Sequence, residues 1–247
     1  MDAREQEPGG PGELTRGAFA ASSAWTDVGL TLPIFVAYHL GVVFLPVRNA
    51  ADVVTQELAA LAEYNRLSYV VLTLGLGTLL VAALLISGRR QALRWQNFAW
   101  LALEGVLYAL AMRLVSSVVV GELFLAGGVL SEIEARFTGL VMSLGAGLYE
   151  EIAFRVLLFG VGLRCLRVLL APKTRLERLQ LAISWAVACA VVFSGWHHLG
   201  AFADSFEASV FVFRAVCGLV FTLIYVARGF APVVWTHVVY DVWVLVW

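Results

Sequence analysis

The sequence predicts an all-α polytopic membrane protein: a bundle of about seven transmembrane helices plus a short amphipathic helix lying on the interface. Three observations carry this prediction. The 247 residues are 61% apolar and 14% charged, against roughly 45–50% apolar and about 25% charged in soluble domains. Mean hydropathy is +0.85. The apolar residues also gather in runs of the length, about 20 residues, that spans a hydrocarbon core. The bilayer is therefore an expected partner. A formal charge of −1 offers no footprint for a polyanion, so nucleic acid is not expected as one. Cys165, Cys189 and Cys217 lie in or at the ends of apolar runs. An odd, buried set of this kind is not a disulfide framework.

Residues 1–24 form a polar tail containing Gly and Pro, without an apolar core, and are expected to be disordered. Residues 25–96 are expected to hold two N-terminal transmembrane helices. The first run, Trp25 to about Pro46, exceeds the apolar core of a signal peptide and is not followed by a small-x-small cleavage site, so it reads as a retained anchor. Between 50 and 66, Val54, Leu58 and Leu61 recur at helical spacing against Asp52, Gln56, Glu57 and Glu63. That pattern fits a short helix on the interface.

Further apolar runs follow at about 67–87, 97–120, 134–170, 179–199, 208–227 and 230–247. The run 134–170 is too long for a simple span: at about 1.5 Å per residue it extends about 55 Å, against a core of about 30 Å. It is expected to break, tilt or protrude as a stem tipped by Arg164 and Arg167. The chain shows no internal repeat, which argues against inverted-repeat transporters. With the N-terminus inside, eleven basic residues (among them Arg89, Arg90, Arg94, Arg164, Arg167 and Arg228) fall on the inner side. Three, Arg48, Arg66 and Arg136, fall outside. This asymmetry predicts a multi-pass protein of the cell membrane with a cytoplasmic N-terminus.

Ionisable side chains at membrane depth each cost at least ~2.5–3.5 kcal/mol and need a reason. Glu104, Arg113 and Arg214 are read as structural pairing groups inside the bundle, and His39 as a satisfied bystander. Glu104 and Arg113 lie on opposite faces of one helix, so they cannot pair with each other.

Three clusters stand apart. In Tyr149-Glu150-Glu151-Ile152-Ala153-Phe154-Arg155, Glu151 and Arg155 share a helix face in the favoured order for an ion pair, whereas Glu150 is turned by about 100°. One carboxylate has a counter-charge and its neighbour is left free, a division of roles that two adjacent acids need if one is to act as a base. Phe193 and His197 close the fifth run on one face. His198 is turned away from His197, so at most one of the two histidines faces Glu150. His237 and Asp241, again four apart, suit either an orienting pair or two metal ligands. Counting at about 1.5 Å per residue, Glu150 lies about 21 Å from Arg164, Asp241 about 20 Å from Arg228 and His197 about 28 Å from Arg178. These depths permit one shared cavity far from the basic ends of the helices.

In that order, Glu150-Glu151-x-x-x-Arg155, Phe193-x-x-x-His197 and His237-x-x-x-Asp241 resemble the three motifs of the CPBP family. Its members are the CAAX prenyl proteases and bacteriocin-processing enzymes, also called Abi. The resemblance covers 97–247, the expected catalytic core, and implies an intramembrane endopeptidase acting on a membrane-tethered protein or peptide. It implies that Glu150 and His197 activate water, and that His237 and Asp241 polarise the scissile carbonyl and steady its oxyanion. Glu151, Arg155 and Phe193 would support the site. The motif-three position held here by Asp241 is often Asn in the family. An ionised Asp cannot donate a hydrogen bond as Asn does, so Asp241 must be protonated, orient His237 or bind a metal. If a metal such as zinc is present, Glu150, His197, His237 and Asp241 form a plausible ligand set. No H-E-x-x-H helix occurs, and the reading taken forward has no cofactor. The rival reading is a non-catalytic scaffold, immunity or transport component of the same fold.

Overall fold

The computed structural model describes residues 24–88, 93–121, 133–199 and 205–246. The polar tail expected over 1–24 lies outside them as far as residue 23. In chain order the elements are α1 (Ala24–Val42), α2 (Val54–Leu61), α3 (Arg66–Ile86), α4 (Trp95–Val120), α5 (Ile133–Gly145), a π-helical segment (Ala146–Val161), α6 (Gly162–Leu170), α7 (Arg175–Trp196), α8 (Ala208–Arg228) and α9 (Phe230–Val246). Among the described residues there is no strand, and the chain is an all-α polytopic membrane protein. Among the described residues four helices, α3, α4, α7 and α8, are long and apolar enough to cross a membrane by length and composition, and α9 is a shorter apolar helix.

Local chemistry sets the boundaries. Asn65 caps α3, its side chain accepting from the N–H of Ser68 at 3.0 Å. Thr174 and Glu177 form a reciprocal capping box at the start of α7. Gly229, at φ 100°, takes a conformation that side chains resist and lets the chain reverse from α8 into α9 within one residue.

One expectation is corrected, and one, that the run 134–170 breaks, tilts or protrudes, is narrowed. The amphipathic helix expected over 50–66 is confined to α2, because Glu63 and Tyr64 both adopt positive φ (52° and 56°) and end it. Asp52, read as part of its water-facing side, is buried and accepts from Tyr38 Oη at 2.7 Å. The long run 134–170 does not break. It continues from α5 through the π-helical segment into α6, with Gly145, Val161 and Gly162 all in right-handed helical conformation. A π-helix carries i→i+5 hydrogen bonds and packs more residues into each turn, so the rod is shorter than α-helical arithmetic gives. At its end, Val168 and Leu169 are 83% and 78% exposed.

The last helix is the centre of the bundle, packing against α1, α4, α5, α8 and the π-helical segment. Glycines make room for it. Gly105 abuts the backbone of Trp235, Gly139 that of Leu245, and Gly147 that of Val234 and Val238. Close backbone approach over small residues is the usual means of helix association where lipid removes the hydrophobic drive. Asp27 of α1 then fastens the start of α9, accepting from the N–H groups of Phe230 and Ala231 at 3.2 Å each. Glu104 of α4 meets Arg228 of α8 in a two-pronged ion pair, 2.6 and 3.1 Å, so these charges are structural partners. Arg113 lies 4.7 Å from the ring centre of Trp243.

Candidate active site

Glu150 projects from the π-helical segment into the interior and is 6% exposed. Its Oε1 accepts a hydrogen bond from Asn49 Nδ2 at 2.9 Å. Its Oε2 has no hydrogen bond and lies 3.8 Å from His197 Nε2. The carboxylate expected to be free is therefore held by one oxygen and open at the other. Asn49 is neutral, so this hydrogen bond brings no counter-charge.

His197 caps the C-terminal end of α7, 27% exposed. Its Nδ1 is 2.9 Å from the carbonyl oxygen of Phe193. A carbonyl can only accept, so the hydrogen sits on Nδ1 and Nε2 is presented to Glu150. His198 stacks on Phe211 and meets Phe206 instead, so the two neighbouring histidines do diverge.

Next to this pair, Glu151 and Arg155 are buried to 0% and 1% exposure and meet at 3.1 Å. The guanidinium sits over the rings of Phe193 and Phe221, at 4.2 and 5.0 Å from their centres. Cation–π attraction of this kind gains strength where water is excluded. His237 stacks on Phe221 with ring centres 4.5 Å apart. Its Nδ1 lies 2.6 Å from Glu151 Oε1 and its Nε2 3.4 Å from Asp241 Oδ2.

The sequence-derived residues thus fall into two adjoining groups. Glu150 faces His197, while Glu151 gathers Arg155 and His237, with Asp241 beyond. Both ring nitrogens of His237 face carboxylates inside the bundle. The four residues offered to zinc, Glu150, His197, His237 and Asp241, do not fit that role as they stand. Among the described residues no three His, Cys, Asp or Glu are gathered to hold a metal ion. Of the options for Asp241, the geometry matches orientation of His237.

Two participants escape the motif reading. Phe221 carries no chemical signature beyond its apolar surroundings. Asn49 sits in the connection from α1 to α2, about a hundred residues from its partner, and no spacing rule links the two. His39, expected to be satisfied, is: its ring nitrogens meet Tyr69 Oη at 2.7 Å and Tyr149 Oη at 2.6 Å.

The helical bundle thus sets a buried carboxylate, Glu150, beside the partly exposed His197. Residues 132–243, somewhat under half of the chain, match the family model described as type II CAAX prenyl endopeptidase, Rce1-like, and this segment is similar to that family. The matched segment contains Glu150, Glu151, Arg155, Phe193, His197, His237 and Asp241. No curated protein and no solved structure matches the chain.

Proposed function

We propose that the protein is a glutamic-type intramembrane endopeptidase in which Glu150, paired with His197, activates the attacking water. The observation that carries this reading is the open Oε2 of Glu150, 3.8 Å from His197 Nε2, a separation that one water can bridge. Glu150 takes the proton as the hydroxyl adds to the scissile carbonyl. His197 Nε2 accepts the water's second hydrogen and steadies it, and Glu150 returns the proton it took to the departing amine as the C–N bond breaks. His237 is held by Glu151 through Nδ1, and its Nε2, only 3.4 Å from Asp241, turns from that carboxylate to the oxyanion as it develops. Glu151, Arg155 and Phe193 hold this arrangement. The donor geometry supports a reaction without a resident metal, since the residues that would ligate zinc point to different partners.

The substrate in this reading is a membrane-tethered protein or peptide, cleaved during maturation or to remove a C-terminal sorting anchor. The site's position supports it. His197 follows the C-terminal end of α7, whereas Arg175 and Arg178 open that helix. Twenty-two residues separate the ends of this helix, about 33 Å of α-helix at ~1.5 Å per residue. With the N-terminus cytoplasmic in the cell membrane, as the basic residues argue, the site lies toward the outer side, where exported tails and leaders are presented.

The test compares protein termini, by mass, in membrane and secreted fractions of cells carrying the wild-type chain or Glu150→Gln. Termini that vanish with the variant, while its level in the membrane is unchanged, support the protease. An unchanged set of termini favours a non-catalytic scaffold.

A further inference from the structure

We infer that Asn49 is a positioning residue of the active site: its amide clamps one oxygen of Glu150 and thereby aims the other at His197. This inference rests on the reading of Glu150 as the base. It brings the α1–α2 connection, which lies outside the family-matched segment, into the site.

The amide's orientation is fixed by its surroundings. Asn49 Oδ1 accepts from the backbone N–H of Ala51 at 2.8 Å. That N–H can only donate, so the oxygen of the amide is committed to it and Nδ2 must face Glu150. Asn49 is 6% exposed, although connecting segments normally lie on the surface. The loop is held there by a buried network. Asp52 accepts from the N–H groups of Val54 and Thr55 at 2.9 Å each, from Tyr38 Oη at 2.7 Å and from Thr55 Oγ1. The Asn49 backbone N–H donates to Tyr38 Oη at 3.3 Å. His39 joins this group to Tyr149, the residue preceding Glu150. A loop needed only to link two helices would not bury so many polar groups.

An Asp at position 49 keeps the acceptor that closes the turn onto Ala51 but loses the donor to Glu150. That difference separates positioning from mere turn formation. Full-length Asn49→Asp and the uncharged Asn49→Ala are compared with wild type and Glu150→Gln in liposomes. Two readouts are used: release of the terminus that Glu150→Gln abolishes, and the infrared carboxylate band that Glu150→Gln removes. Expected for both Asn49 variants are a fall of about tenfold to a hundredfold in rate at saturating substrate, the usual cost of losing a partner that orients an active group, a KM within about twofold, and a displaced Glu150 band. Wild-type rate in Asn49→Asp or in Asn49→Ala, or an unmoved band in either folded variant, overturns the inference. If Glu150→Gln abolishes no terminus, the protease reading fails by itself, and the band still decides whether Asn49 orients this carboxylate.

Discussion

His237 Nδ1 and Arg155 Nη1 converge on the same oxygen of Glu151, at 2.6 and 3.1 Å. Glu151 therefore joins the π-helical segment to α9 and also neutralises the most deeply buried guanidinium among the described residues. The adjacent acids have opposite characters. One is a buried structural junction, and the other keeps an oxygen open.

From this contrast, Glu151→Ala is expected to cost about 3–5 kcal/mol of stability, because it strands Arg155 as an unpaired buried charge. Glu150→Gln is expected to leave stability within ~0.5 kcal/mol while lowering turnover about 10²–10⁴-fold, the usual contribution of a general base. Thermal unfolding in detergent, run beside the terminus assay, separates the two. Equal destabilisation by both variants would contradict the assignment.

His197 stands at a helix end and is partly exposed, so its removal leaves little behind. His197→Ala is expected to keep the wild-type unfolding temperature and lose about 10²–10⁴-fold in turnover. A variant with near-wild-type turnover would remove His197 from the mechanism.

Activity is expected to survive prolonged treatment with strong zinc chelators, since His237 is turned to Glu151 and Asp241. Loss of turnover on chelation, restored by added zinc, would show that these side chains rearrange around a metal and would replace the glutamic mechanism.

Gly147 offers a test of the helix seat. A methyl group there would meet the backbone nitrogen of Val238 at 2.9 Å and the carbonyl oxygen of Val234 at 3.0 Å. Backbone cannot yield as a side chain can. Gly147→Ala is expected to cost about 1–3 kcal/mol, the range for overpacking, and to reduce turnover by displacing His237. An unfolding temperature equal to wild type would show that α9 has slack here.

Much of the architecture was legible because lipid imposes long apolar runs, and each of the seven expected runs contains helix. The Glu151–Arg155 pair followed from four-residue spacing. What spacing could not reveal was contact between distant elements. The free-looking Glu150 acquired Asn49, a lone amide in a short connection. His237, read with Asp241 on its own helix, also turned to Glu151 on another. Arg228, counted among the inner basic residues, proved to be the partner of Glu104. The π-helical winding left only an indirect trace, a run too long for the bilayer. Hydrogen-bond register is chosen by packing around Glu150, Glu151 and Arg155, and apolar residues of either winding look alike in sequence.

That winding has a consequence for how the protein can change. Ala146–Val161 acts as a phase adjuster between two ordinary helices, setting the angle at which α6 leaves relative to α5. Substitutions along its lipid-facing side leave the phase intact. Removing a single residue without tightening a turn rotates everything beyond it by a fraction of a turn. The length of this stretch is therefore under tighter constraint than its composition.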